Sequence, residues 1–297
     1  MSAATRHAES LDPAAADRAT AMWARAEEAD GVAPVSEAFA LALTRPRPGV
    51  VHLLREAGDG LVGYAQVSGA GEDDAAVELV VDPDHRRAGH GRALLDAALA
   101  AGGRRVWAHG NLPAARGLAE AAGLVLTRSL HLMGRPLTEG DAADPVLPPG
   151  YTVRAFAPGR DDEAWVALNA AAFADHPEQG RLTVADLHER MEQAWFDPAG
   201  FLLVERDGRP VAFHWTKVEP GDASGTGEVY VVGVHPDEQG RGLGGPLTAL
   251  GLAHLARRGL ATVHLYVDGD NTAALRTYRR LGFTDLAVDG QYSRPVT

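Results

Sequence analysis

Apolar residues recur with helical spacing over 17–30 and 163–173, where alanine, tryptophan and leucine return every three or four positions. Short β-branched runs at 77–81 and 228–234 predict strands. Each is preceded by a similar pair of apolar runs across a glycine turn, 51–56 with 61–67 and 201–205 with 210–218. Each is followed by a glycine-rich turn and a helical stretch, 93–101 and 247–258. The second half continues with a strand at 263–267 and a helix at 272–281, which Asn271 is placed to cap. The order helix, helix, strands, glycine-rich turn, helix, strand, helix, strand thus occurs twice.

Aligning Asp82-Pro83 on His235-Pro236 brings Gly89 and Gly91 onto Gly242 and Gly244, and Asn111 and Gly123-Leu124 echo Asn271 and Gly282-Phe283. The pattern predicts two copies of one fold of about 140 residues, within the usual domain range. They occupy residues 1–138 and 151–297, joined by a linker at 139–150 rich in Pro, Gly and Asp. The predicted class is α+β (mixed α/β), each copy a mostly antiparallel twisted sheet flanked by helices.

The turns carry the first candidate chemistry. Gln239-Gly-Arg-Gly-Leu-Gly244 leaves a strand and opens a helix, and Arg86-Arg-Ala-Gly-His-Gly91 repeats the arrangement. Glycine permits unusual backbone angles and close approach of another atom. Unpaired amides and the dipole at a helix start favour an anion, and a pyrophosphate is the natural occupant. A ligand-free strand–helix turn is the alternative reading of either copy alone; the recurrence after a Val-rich strand and a D/H-P step weakens it. No Gly-Lys-Ser/Thr follows, so the turn is not a Walker A loop. Its glycines lie mid-domain, not after the first strand as in a dinucleotide-binding fold.

A Q/R-x-x-G-x-G turn preceded by V-x-V-x-P resembles motif A of the Gcn5-related N-acetyltransferases (GNAT). The resemblance implies tandem GNAT-like domains and acetyl-CoA as cosubstrate; His176, His214 and His235 have no metal-ligand spacing, so no metal is expected. In the second copy it implies that Val232, Gly233 and Val234 hold the pantetheine and that Gln239, Gly240, Arg241, Gly242, Leu243, Gly244 and Gly245 hold the pyrophosphate. The stretch from Asn271 to Phe283 resembles the family's second landmark, which adds Asn271, Thr272, Ala273, Ala274, Leu275 and Arg276 as cofactor contacts. The matching positions of the first copy are Leu79, Val80 and Val81 on the strand, and Arg86, Arg87, Ala88, Gly89, His90, Gly91 and Arg92 in the turn. The segments 169–180, 227–234 and 265–268 are similar to a tandem-domain branch of this family that acetylates the cysteinyl amine of Cys–glucosamine–inositol. That likeness implies Glu37, Glu178, Lys217, Glu228 and Tyr266 around the substrate. The residue types suit a polyhydroxylated amine, because carboxylates accept from hydroxyls and from an ammonium. Lys217, the one lysine of the chain, offers a compact rotatable cation.

Direct acylation needs a neutral amine, a polarised thioester and a proton for the leaving thiolate. Glu228, at the start of the strand leading to Gly233, suits the base or the group that orients the ammonium. Tyr278, four residues before Gly282 in the family's landmark, suits the acid. The first copy has Ala75 and Ala119 at these positions, so it is expected to be catalytically silent while keeping a turn able to bind CoA. A strand-end acid and an amphipathic-helix tyrosine are the ordinary alternatives for the two residues.

Composition narrows the rest. With 28 Lys+Arg against 40 Asp+Glu the net charge is -12, which argues against a protein that coats nucleic acid. The absence of cysteine removes disulfides, Cys–Zn sites and a Cys nucleophile. No run approaches the about 20 apolar residues of a membrane span, and the first twelve residues lack the apolar core of a signal peptide. The expectation is a cytoplasmic monomer acting on a small amine/thiol substrate and acetyl-CoA, with neither nucleic acid nor membrane as partner. Two other readings stay open: a tandem acetyltransferase for an aminoglycoside-like or peptide amine, and a non-catalytic acyl-CoA sensor.

Overall fold

The computed structural model describes residues 3–45, 47–58, 60–174, 179–221 and 223–295. The first repeat runs β1 (Ala4–Ala8), α1 (Pro13–Asp30), α2 (Glu37–Thr44), β2 (Val51–Ala57), β3 (Gly60–Ser68), β4 (Ala76–Val81), α3 (His90–Ala100), β5 (Arg105–Ala108), α4 (Pro113–Ala121) and β6 (Val125–Pro136). The second runs β7 (Tyr151–Ala155), α5 (Asp162–Ala172), α6 (Val184–Met191), β8 (Phe201–Arg206), β9 (Arg209–Lys217), β10 (Thr226–Val234), α7 (Gly244–Arg257), β11 (Thr262–Asp268), α8 (Thr272–Arg280) and β12 (Thr284–Ser293). The mixed α/β class and the largely antiparallel pairing are as expected.

The compact units do not divide at 139–150. Unit 1 comprises Met1–Leu130 and Ala287–Thr297, and unit 2 is His131–Leu286, so the breaks fall inside β6 and β12. Residues 139–150 belong to unit 2, where Arg257 donates to Ala142 O at 3.1 Å and to Asp144 Oδ1 at 2.7 Å.

In unit 1 the strands follow the order β1-β2-β3-β4-β5, and the end of β12 pairs antiparallel with β5, Gly290 opposite Ala108 and Tyr292 opposite Val106. The sheet is therefore completed by a strand that ends the second repeat. A buried charge cluster holds it. Asp289 accepts from Gly110 N at 2.6 Å and lies 3.0 Å from His109 Nδ1, and His109 Nε2 lies 3.2 Å from Glu78 Oε1. Burial alone would lower the His109 imidazole, but the Glu78 and Asp289 carboxylates outweigh it and push its pKa up to about 10. Helices cover both faces. Leu53, Val67, Val77, Leu94 and Leu95 pack on the α3 side, and Met22, Trp23, Leu54, Tyr64 and Val80 on the α1 side. Adjacent residues such as Leu53 and Leu54 enter opposite cores, as the two-residue period of a strand requires.

In unit 2 the order is β7-β8-β9-β10-β11, and the end of β6, a strand of the first repeat, pairs with β11. Val229, Leu252, Val263, Leu265 and Tyr278 form the core on the α7–α8 side. The α5–α6 side is aromatic: Trp165 meets Phe201, Phe213 and Trp215 edge-on at 5.4, 5.4 and 5.6 Å, and Phe201 stacks on Trp215 at 4.3 Å. β4 with β5 and β10 with β11 are parallel pairs, and both glycine turns follow the first strand of such a pair.

Candidate active site

The turn after β10 is built from backbone. Gly240 and Gly242 take left-handed φ of 75° and 79°, and α7 opens at Gly244 with no side-chain cap. A Cβ at Gly240, Gly242 or Gly245 would meet nothing within 4 Å, so there is open space beside the turn. In unit 1, Arg87 and Gly89 adopt φ of 63° and 82°, and α3 opens at His90, again without a side-chain cap. The two turns share two left-handed residues at the same spacing, although Arg87 stands where Gly240 does. A non-glycine residue held at positive φ costs free energy and marks a turn whose shape is over-determined. A helix start without a side-chain cap leaves its first amides unpaired, the kind of place that favours an anion.

The arginines of these turns are largely committed elsewhere. Arg86 grips Asp30 with two bonds of 2.7 Å and donates to Val81 O at 3.2 Å. Arg92 holds Asp96 at 2.9 Å and Ala121 O at 3.0 Å, and Arg241 donates to Asp237 O at 3.2 Å. What these turns offer an anion is therefore helix-start backbone more than free side-chain charge.

Beside each turn the parallel strands part. β4 and β5 pair only at Ala76–Arg105 and Val77–Val106, yet run on to Val81 and Ala108. A cleft of about 940 Å³ opens there, and the expected positions Leu79, Val80, Val81, Arg86, Arg87, Gly89, His90, Gly91 and Arg92 line it; Ala88 does not. β10 and β11 pair from Thr226–Thr262 to Val229–Leu265 and then diverge, so Val232, Gly233 and Val234 lie beyond the last paired residue. Gly233 has no room for a side chain, because a Cβ would come within 2.7 Å of the Phe213 ring. Asn271 caps α8 as expected, accepting from Ala274 N at 3.1 Å. Its counterpart Asn111 does not cap α4: it sits at φ 42° and accepts from the Tyr292 hydroxyl at 2.7 Å, while Pro113 opens the helix.

The candidate chemical groups of unit 2 form a row across three strands. Glu228 lies directly opposite Lys217 on β9 and opposite His264 on β11. Its Oε2 is 3.6 Å from His264 Nε2. Lys217 Nζ contacts Glu219 Oε1 at 2.9 Å and rests 4.9 Å from the Trp195 ring and 5.5 Å from the Tyr230 ring. Tyr266, two residues beyond His264 and exposed, meets its imidazole edge-on at 6.2 Å. Strand alternation puts Glu228, His264 and Tyr266 on the face opposite Val229, Leu265 and the α8 core. Tyr278 belongs to that core, 5.7 Å from the Phe283 ring, and burial pushes its phenol pKa up. Glu228 and Tyr278 therefore flank the β10–β11 pair from opposite faces.

Of the expected substrate residues, the structure brings Lys217, Glu228 and Tyr266 together. Glu37 begins α2 in unit 1, next to Ser36, whose amide donates to Glu78 Oε2 at 2.8 Å. Glu178 lies outside the described residues. His264 was not among the sequence candidates, though its two-residue spacing from Tyr266 puts it on the same strand face. Among the described residues no cluster of three His, Cys, Asp or Glu side chains is arranged to hold a metal, and no helix is long and apolar enough to cross a membrane.

The model of the acetyltransferase (GNAT) family matches residues 165–283, and that of the acetyltransferase (GNAT) domain matches 48–123. A mycothiol acetyltransferase of Streptomyces avermitilis is 54% identical over 286 residues, covering 95% of this chain and 92% of the relative. A GCN5-related N-acetyltransferase from Sphaerobacter thermophilus superposes with a TM-score of 0.71 at 25% identity, over 98% of this chain and 94% of its own. A tandem GNAT protein from the clavulanic acid biosynthesis pathway shares the fold at a TM-score of 0.72 and 18% identity, over 100% of both chains. The paired turns, the parting strands and these relatives agree: the chain belongs to the GNAT acetyltransferases and, within them, to the mycothiol acetyltransferase family.

Proposed function

We propose that the protein transfers the acetyl group of acetyl-CoA to the cysteinyl α-amine of Cys–glucosamine–inositol, giving mycothiol, and that unit 2 alone performs the transfer. The observation that carries the reading is the Lys217–Glu228–His264 row beside the point where β10 and β11 part, next to a glycine turn that opens α7 with no side-chain cap. The 54% identical relative named mycothiol acetyltransferase supplies the acceptor.

In this reading the pyrophosphate rests on the Gln239–Gly245 turn and the α8 cap region, and the pantetheine runs along Val232–Val234. The thioester enters the gap beyond Val229, with Glu228 on one side and Tyr278 on the other. An α-amine has an ordinary pKa of about 7.7–8.0, so little help is needed to deprotonate it. Glu228 holds the ammonium and takes its proton; the amine nitrogen bonds to the thioester carbon, and the C–S bond breaks. The phenol of Tyr278, kept protonated by burial, gives its proton to the departing sulfur. The proton left on the new amide nitrogen then restores the phenol. Lys217 and Tyr266 contact the acceptor's hydroxyls, with Glu37 and Glu178 as further candidates. Unit 1 holds acetyl-CoA in its cleft without turning it over. The enzyme works as a cytoplasmic monomer on small molecules.

Mixing the full chain with acetyl-CoA and Cys–glucosamine–inositol, and following the N-acetyl product by mass, tests this. Stoichiometric N-acetylation is expected. Failure with this amine alongside turnover of an aminoglycoside or peptide amine would replace the acceptor, and tight CoA binding without turnover of any amine would leave a sensor.

A further inference from the structure

The overall reaction converts an ammonium and a thioester into an amide and a thiol, and it therefore releases one proton per turnover. If Glu228 receives that proton, the carboxylate must shed it before the next cycle. Glu228 is poorly placed to do so alone, since its side chain is 17% exposed. The groups around it differ in what they can accept. Lys217, opposite on β9, is a cation engaged with Glu219. The phenol of Tyr266, on the same face of β11, is too weak a base near neutral pH. On the other side of β11, Gly134 of β6 is set against Val263 O, and the ionisable residues of that stretch, His131 and Arg135, are paired with Asp285 and Asp141. On the α5–α6 side, Arg190 donates to the Tyr230 hydroxyl at 3.0 Å. His264 is the remaining neighbour, directly opposite Glu228 in register, 3.6 Å away, and 30% exposed at its side chain.

We propose that His264 is the positioning residue for Glu228, fixing its carboxylate in the sheet row and carrying the amine's proton from it to solvent. The inference rests on the reading of Glu228 given above. Each cycle moves one proton from the ammonium nitrogen to Glu228, from Glu228 Oε2 to His264 Nε2, and from the imidazolium to water. Transfer between them requires the 3.6 Å separation to close to hydrogen-bond range. Imidazoles change charge between about pH 5 and 8. An already protonated His264 cannot take the proton, and it competes with the substrate ammonium for the carboxylate.

The test uses the full chain with His264→Gln, His264→Ala and Glu228→Gln, assayed for acetylation of Cys–glucosamine–inositol from about pH 5 to 9. His264→Gln is expected to lower kcat roughly tenfold at neutral pH, below the 10²–10⁴-fold contribution of a direct acid or base. The acid limb of its pH–rate profile changes, because the imidazole is gone from the relay, and its KM for acetyl-CoA stays near that of the wild type. Imidazole added to the buffer restores kcat of His264→Ala, because the position reaches solvent. An unmoved acid limb without imidazole rescue would overturn the proposal, even if kcat drops, since a merely structural histidine gives that result. Glu228→Gln separates the two layers. Wild-type turnover in that variant removes the Glu228 reading itself, whereas its loss beside an unaltered His264→Gln profile removes only the relay.

Discussion

β4 and β10 occupy the same place in their units, and they differ by one residue. On β4, six residues, Ala76 to Val81, face six on β3 without a register shift. On β10, seven residues, Glu228 to Val234, span the same stretch of β9, with a bulge between Val229 and Val231. Counting from the pairs Gly63–Val81 and Ala212–Val234, the structural counterpart of Glu228 is Ala76, one place from the Ala75 that sequence alignment gives. The substitution to alanine stands in either register. Bulges re-aim side chains and interrupt ladder pairing, and they are common next to active sites. Tyr278 and Ala119 are likewise equivalent, each buried and four residues before the glycine that ends its helix. The two units thus share the turn and the parting strands and differ here by a bulge and two side chains, the contrast on which the proposed division into a reacting and a holding unit rests.

The largest test of this contrast is removal of the two groups. Glu228→Gln and Tyr278→Phe are each expected to lower kcat by about 10²–10⁴-fold, the usual contribution of a positioned acid or base. An effect within about twofold for both would move the chemistry elsewhere. The turns come next. Calorimetric titration of ligand-stripped wild type should find two CoA molecules per chain. Gly242→Glu, or Gly89→Glu combined with Gly91→Glu, should each leave one, because a carboxylate and new Cβ atoms occupy the anion's place. One site in the wild type that survives the Gly89/Gly91 change would make the first turn purely architectural.

The held strand gives a smaller effect, on stability. His109→Gln leaves Glu78 and Asp289 facing each other and is expected to cost about 3 kcal/mol near pH 7, as removing one member of a buried ion cluster does. The folded pKa of His109, about 10, lies above the unfolded value of about 6.5. Its contribution is full below the unfolded value and is lost as pH rises through about 10. Urea midpoints of wild type and variant should therefore converge above pH 10, and a constant gap would contradict the assignment. His214 in unit 2 acts in the opposite sense: burial lowers it to about 4, and its Nδ1 donates to Leu247 O at 2.9 Å. The unfolded chain binds the proton first, so the neutral ring stabilises fully above about pH 6.5 and progressively less toward pH 4. His214→Gln should flatten the acid-side stability slope by up to about 1.4 kcal/mol per pH unit.

Much of the framework was readable in the chain because it is written locally. The β-branched runs, the glycine turns and the Asn271 cap all depend on neighbours within a few residues, and each forms within three residues of its expected bounds. β1 and β7 escaped notice because these outer strands, Ala4–Ala8 and Tyr151–Ala155, have few buried positions and little apolar alternation. The exchange of β6 and β12 between repeats has no local signature, since Asp289 finds His109 from 180 positions away. At the candidate site, the family resemblance pointed to Glu228, Lys217 and Tyr266, and the structure adds that these three residues of three strands share one face of the sheet. Arg86 lines the unit 1 cleft as expected, and what the sequence did not show is that its fork is engaged by Asp30, a partner on α1 more than fifty positions away.

The central claim is that one of the two units reacts, and a single-turnover experiment addresses it directly. Wild-type protein is loaded with acetyl-CoA carrying a labelled acetyl group, freed of excess, and mixed with saturating Cys–glucosamine–inositol. The account predicts one acetyl group per chain transferred in a fast phase, followed by slow transfer at a rate independent of amine concentration, set by release of acetyl-CoA from unit 1. Two acetyl groups per chain transferred in a single fast phase would contradict it.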